Sequence, residues 1–165
     1  MPKKLWEPSK GLIKNSNLFA YEKFISKYYK YNLSRNYTKL LKWSVKNPKD
    51  FWNSIWKYFE VIGIKTNKFK LTKDLINSKF FVNSKLNFTE NLLVKNSNQK
   101  AITFVSENGY REQKSWKELN TDVKKIISFY KKISISKNDR IAAYTPNQIE
   151  TVECFLSASA IGSIW

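Results

Sequence analysis

The chain has 165 residues, 42% of them hydrophobic and 16% aromatic, enough for one ordinary core and too apolar for a disordered polymer. Its formal net charge of +17 comes from 27 lysines and only 3 arginines, with no lysine run longer than two. Scattered lysine reads as a solvated surface before it reads as a nucleic-acid or anionic-membrane interface, because guanidinium is the group that forks onto phosphates and base edges.

A single cysteine, Cys154, excludes an internal disulfide. With no histidine to activate it, a buried inert thiol is expected. The opening Met1-Pro2-Lys3-Lys4 leads into no apolar core segment, and no apolar run approaches bilayer length. A soluble cytoplasmic protein is the expectation. The charge is uneven: residues 1–86 carry 19 bases and 5 acids, residues 87–165 carry 11 bases and 8 acids. Two differently built segments are expected.

The first segment reads as helical. Asn17 is a candidate cap for a helix whose stripe is Leu18, Tyr21, Phe24, Ile25, Tyr28 and Tyr29. A second helix is expected over Tyr37–Lys46 with Leu40, Leu41 and Val45 inward. Asn47-Pro48-Lys49-Asp50 then combines a side-chain acceptor, a first-turn proline and a first-turn acid. Phe51, Trp52, Ile55, Trp56 and Phe59 follow as a broad aromatic stripe, stopped by Gly63. Residues 64–79 suggest a loop, Phe80-Phe81-Val82 a short extended stretch, and Asn83-Ser84 a turn. Phe88–Lys95 suggests another short helix carrying Leu92 and Leu93.

The second segment alternates strands and helices. Ala101–Val105 and Tyr110–Lys114 flank Glu107-Asn108-Gly109, a hairpin signal. Ser115 and Glu118 have capping-box spacing before a helix with Trp116, Leu119, Val123, Ile126, Ile127 and Tyr130 on one face. A strand is expected over Arg140–Tyr144, with Asn147 capping the next helix. That helix turns Ile149, Val152, Phe155, Leu156 and Ala160 inward, ends at Gly162, and leads to a strand begun at Ser163-Ile164-Trp165. The fold class expected is α/β: a helical N-terminal segment, then the beginning of a doubly wound, mostly parallel sheet domain, incomplete in this chain.

An ordered set of short matches resembles the acetoacetate-CoA ligases, within the AMP-forming acyl-adenylate ligases. Leu5-Trp6-Glu7-Pro8-Ser9 resembles their opening, and Phe51-Trp52 with Ile55-Trp56 their early Phe-Trp helix. Phe80 to Leu93 resembles a Trp-Phe-x-Gly-Ala-x-Leu-Asn-Tyr-x-Glu-Asn-Leu-Leu segment. Ser115-Trp116-Lys117-Glu118-Leu119 resembles Thr-Tyr-x-Glu-Leu. Lys137 to Asn147 resembles Lys-Gly-Asp-Arg-Val-Ala-x-Tyr-x-Pro-Asn, and Ser159 to Trp165 the helix end and strand that follow. Glu90-Asn91-Leu92-Leu93 and Trp165 favour the acetoacetate branch over the acetate and propionate branch, which is the alternative substrate reading. Asn83 and Asn138 replace family glycines; asparagine tolerates a left-handed backbone, so both turns can survive.

The resemblance implies a two-step reaction in the whole ligase. A carboxylate attacks the α-phosphate of ATP, with Mg²⁺, to give acyl-adenylate and pyrophosphate; the CoA thiol then displaces AMP. ATP, Mg²⁺ and CoA are thus the cofactors implied for the parent, and acetoacetate its small-molecule carboxylate. Residues 1–86 would be its accessory N-terminal segment and residues 87–165 the start of its AMP-binding domain. Phosphoryl chemistry needs a glycine-rich cradle. The four glycines stand at 11, 63, 109 and 162, no two of them close. No catalytic, cofactor-binding or metal residue is assigned in this chain. It is expected to be inactive alone, to bind none of these cofactors and to self-associate. The remaining alternative is a free-standing basic module for nucleic acid or anionic surfaces.

Overall fold

The computed structural model describes residues 5–165; the reading made on Met1-Pro2-Lys3-Lys4 lies outside them. Helices α1 (Lys10–Lys14), α2 (Asn17–Tyr29), α3 (Tyr37–Lys46) and α4 (Pro48–Tyr58) come first. Then follow α5 (Phe88–Leu92), β1 (Lys100–Val105), β2 (Arg111–Ser115), α6 (Trp116–Lys132) and α7 (Ile149–Ile161). The chain divides into two compact units, residues 1–61 with 66–83, and residues 62–65 with 84–165.

The first unit is an aromatic-rich helical cluster. Tyr21, Ile25, Leu33, Leu40 and Trp43 form its buried centre, with Phe24, Tyr29, Phe51, Ile55 and Tyr58 packed around them. The cap of α2 is Ser16, not Asn17: the Ser16 hydroxyl accepts from the Phe19 amide at 3.2 Å, and Asn17 is the first helical residue. The side chain of Asn47 makes no cap bond either; its amide donates back to the Trp43 carbonyl at 3.1 Å. Pro48 and Asp50 do occupy the first turn of α4.

Helix α3 buries Leu40 and Trp43, while Leu41 and Val45 face solvent at 49% and 74% exposure. The indole offers more apolar area than either aliphatic residue, so the helix rotates to bury it. Helix α4 uses its broad stripe in two directions. Phe51 and Ile55 pack with Tyr58 toward the core. Trp52 meets Phe80 at 5.5 Å between ring centroids, and Trp56 meets Phe81 at 4.9 Å. Phe59 is left exposed.

Residues 66–83 form a loop pinned by the antiparallel bridge of Lys70 with Lys79. Phe80-Phe81-Val82 is not extended: Phe81 has φ 49° and Asn83 φ 68°, so the chain coils tightly there.

In the second unit β1 and β2 make an antiparallel hairpin, Val105 opposite Arg111, closed through Gly109 at φ 84°. Ser115 and Glu118 form the expected capping box. Leu119 and Val123 of α6 pack on Leu156 of α7, with Leu93, Ala101, Trp116, Ile127, Val152 and Phe155 around them. The expected inward face of α6 is the observed one. Helix α7 is buried on more sides than its stripe suggested, enclosing Glu153, Ser157 and Ala158 as well.

The parallel sheet begins here and goes no further. Arg140 pairs in parallel with Ile164 in a single bridge, held by Ile141 N–H to the Ile164 carbonyl and Ile164 N–H to the Asp139 carbonyl, both 2.8 Å. Residues 141–146 adopt no regular strand. The architecture is that of an incomplete α/β domain preceded by a helical unit.

Candidate functional site

One feature of the second unit open to a partner is the segment Arg140–Asn147, which leads into α7. Its position follows from local chemistry. Asp139 accepts from the Ser136 amide at 2.7 Å and the Ser136 hydroxyl at 3.0 Å, closing a tight turn. Asn138, within that turn, has φ 73°. Its amide donates to the Gly162 carbonyl at 3.0 Å, and the Ser163 hydroxyl donates to the Ser136 carbonyl at 2.7 Å. The turn is therefore fastened to the C-terminus of α7, where Gly162 sits at φ 77°.

Beyond Ile141 the chain leaves this support. Among the described residues the backbone groups of Ala142, Ala143 and Tyr144 have no backbone partner. Tyr144 is fully exposed. At Pro146 the chain is caught again, because the Thr151 hydroxyl donates to the Pro146 carbonyl at 2.9 Å. Gln148, not Asn147, stands at the cap position of α7, and it makes no side-chain cap bond. A groove of about 320 Å³ runs between Ile102–Val105 and Asn147–Val152. Backbone without backbone partners, beside a groove of mixed polar and apolar lining, has the chemistry of a sheet edge and is suited to receiving another strand.

One charge cluster braces the unit from beneath. The Lys114 ammonium on β2 lies 2.7 Å from Glu153 on α7 and 2.9 Å from Asp122 on α6. Burial alone would lower the Lys114 pKa; its bonds to Glu153 and Asp122 overcome that and leave it above its ordinary value. Burial pushes the Glu153 carboxyl up, with Lys114 opposing. Lys125, then Lys114, hold Asp122 below the usual carboxylate range. With Lys125 counted, two ammonium groups balance the two carboxylates. Burial, with a contribution from the neighbouring Cys154 thiol, pushes the Tyr130 hydroxyl up to about 12. Cys154 itself is half-buried.

The residues that carry the resemblance fasten the fold together. Asn87 caps α5 and donates to the Ser159 carbonyl at 2.8 Å. Thr89 donates to the Leu156 carbonyl at 2.8 Å. Asn91 holds both backbone groups of Ile62, accepting from its amide at 2.8 Å and donating to its carbonyl at 2.9 Å. Trp165 meets Phe155 edge-on at 6.4 Å. Sequence reasoning missed Ser54, Glu153 and Leu33 as buried residues, and no periodic signal marks them.

ATP with Mg²⁺, which the resemblance implies for the whole ligase, calls for a glycine-rich phosphate cradle and metal ligands. Gly109 closes a hairpin and Gly162 caps a helix, so neither builds a phosphate cradle. Gly63 serves a close approach, where an added Cβ would lie 2.6 Å from the Lys85 carbonyl oxygen. Among the described residues no group of three or more His, Cys, Asp or Glu could hold a metal ion. Among them, too, no helix is long and apolar enough to cross a membrane.

Residues 37–92 match the family described as the acetyl-coenzyme A synthetase N-terminus. The chain is 28% identical over 162 residues to an acetoacetyl-coenzyme A synthetase of Rhizobium meliloti, covering 98% of this chain and 25% of that protein. It is 34% identical over 137 residues to an acetoacetyl-CoA synthetase of Xenopus tropicalis, covering 79% of this chain and 20% of that one. A solved acetoacetyl-CoA synthetase from Streptomyces lividans superposes with a TM-score of 0.87 at 21% identity, over 99% of this chain and 26% of its own. The chain thus spans about a quarter of the length of the relatives it matches.

Proposed function

We propose that this chain, a relative of the acetoacetyl-CoA synthetases corresponding to their N-terminal region, serves as that region of an ATP-dependent acetoacetate-CoA ligase. Residues 1–86 are its accessory segment and residues 87–165 the start of its AMP-binding domain. The whole ligase uses ATP, Mg²⁺ and CoA on acetoacetate in the cytoplasm. The observation that supports this reading is the ordered run of matches over nearly all of the chain, at 98% coverage, from one relative. A lone motif recurs by chance; a colinear series across two units does not.

In this reading the chain on its own has no ligase activity. Among the described residues no glycine-rich phosphate cradle is formed, and acyl-adenylate formation depends on positioning and charge stabilisation around the phosphates. The purified 165-residue chain, given ATP, Mg²⁺, CoA and acetoacetate, is expected to form acetoacetyl-CoA no faster than buffer and to support no ATP–pyrophosphate exchange. Exchange by the isolated chain overturns its inactivity. The parentage has a separate test. This chain, exchanged for the corresponding quarter of the Rhizobium meliloti relative, is expected to leave a ligase that prefers acetoacetate to acetate. A chimera that folds and acts on acetate alone rejects the assignment.

A further inference from the structure

The first unit contains a cleft of about 520 Å³ between the middle of α2 and residues 32–35, and the ligase reading does not use it. Three cations line it: Lys23, Lys27 and Arg35. Two of them converge on one ring. The Lys23 ammonium lies 4.6 Å from the centroid of Phe19 and the Arg35 guanidinium 5.0 Å from it. Lys27 lies 5.2 Å from the ring of Tyr28. Among the described residues Lys23, Lys27 and Arg35 form no ion pair, and aromatic faces lie against all three. Glu22 is the single acid of the lining, and it is buried. Burial pushes its carboxyl up while Arg35 pulls the other way.

Like charges gathered at one opening repel unless something anionic sits among them. Cation–ring contacts orient the cations at a cost in freedom and leave their N–H groups unneutralised. Arg35 is also one of only 3 arginines among 30 basic residues, and it stands where a planar fork reaches a cleft. Its backbone is held in the left-handed region at φ 56°, beside Ser34 at φ 52°. Asn32 fixes that bend by accepting from the Ser34 amide at 2.9 Å.

We propose that this cleft binds a compact phosphorylated anion, the phosphate taken by the Arg35 fork with Lys23 and Lys27 beside it. The size of the cleft suits a small molecule and not a groove tracking a polymer. Inorganic pyrophosphate is the probe, titrated into the full chain at constant ionic strength and followed by amide NMR shifts. Saturable shifts confined to residues 19–35 are expected.

The variant Arg35→Asn removes the fork while keeping a residue at home in the left-handed region, and is expected to weaken binding about tenfold. Arg35→Lys keeps the charge and is expected to recover only part of the loss. Lys42→Asn removes an equal charge from the exposed face of α3 and is expected to change binding less than about twofold. Equal losses in Arg35→Asn and Lys42→Asn, or shifts that never saturate, overturn the site. So does steeply salt-dependent binding of single-stranded RNA with no saturable pyrophosphate site, which would mark a polymer-binding surface instead.

Discussion

Ser54 has no accessible surface, and its neighbours explain why a hydroxyl stands there. It donates to the Phe51 carbonyl at 2.6 Å, which uses its one proton, so at 2.6 Å the Tyr21 hydroxyl donates to it. Burial pushes the Tyr21 hydroxyl up, and the bond to Ser54 partly offsets that. Ser54→Ala removes the acceptor and leaves the Tyr21 donor buried, which is expected to cost about 1–3 kcal/mol. The double variant with Tyr21→Phe is expected to lose less than the sum of the singles, because it removes the orphaned donor too. Urea melts of the four proteins check this.

Lys114→Met strands Glu153, whose side chain is only 4% exposed. The expected loss at neutral pH is about 3 kcal/mol. The pH dependence has a definite sign. The folded-state pKa of Glu153 is raised above 4.5, so its favourable contribution is complete below the unfolded pKa and is lost as pH rises through the folded one. Without Lys114 that pKa rises further. The deficit of Lys114→Met against the parent is therefore expected to shrink as pH falls from neutral toward 4.5. Asp122 runs oppositely: its depressed pKa stabilises above 3.8 and is lost as pH falls through its folded value. Paired urea melts across this window separate the two. A deficit constant with pH counts against the buried-carboxylate account.

At the scale of elements, the turn at residues 136–139, which leads into the first parallel bridge, depends on one left-handed residue. Asn138, at φ 73°, occupies a position where the resembling family has glycine. Asparagine bears that conformation at lower cost than other side chains, and glycine bears it best. Asn138→Ala is expected to destabilise by about 1 kcal/mol, and Asn138→Gly to hold or gain a few tenths. Melting temperatures of the two variants check the order; alanine above glycine refutes it. Asn83, at φ 68°, answers the same need in the first unit. Both turns were legible in the sequence, since Asn stood where the pattern wanted a backbone of positive φ.

Caps were less legible. Ser16 and Asn17 are adjacent acceptors, and Gln148 follows Asn147; only the backbone trajectory decides which residue stands just outside the helix. Helix α1, five residues behind Ser9, is too short for a periodic stripe and shows no sequence signal. The rotation of α3 toward Trp43 was hidden for another reason. Leu41 and Val45 are as apolar as Leu40, and the choice of face rests on what the neighbouring helices present.

At the scale of the molecule, the open segment Ala142–Tyr144 carries the next expectation. Backbone without partners beside exposed apolar residues invites pairing with another chain. The protein is expected to self-associate with rising concentration, and Tyr144→Lys to reduce this by placing a charge on the edge. Sedimentation velocity over a concentration series checks it. A monomer at every concentration, or association unchanged by Tyr144→Lys, removes this edge from the account.

Local sequence was enough to set the order of α2 to α7 with the hairpin between α5 and α6, the face of α6, the capping box and a helical unit ahead of an α/β one. Those depend on residues within a few turns of each other, where periodicity, caps and glycines act locally. Tertiary structure alone decided that Arg140–Tyr144 is a bridge and an exposed segment instead of a full strand. A strand exists only through hydrogen bonds to neighbours, and those neighbours are distant in sequence. It decided likewise which aromatic residues fill the first core, which serine and glutamate are buried, and that Lys23, Lys27 and Arg35 meet at one cleft. Each of these depends on what several elements present to one another in space.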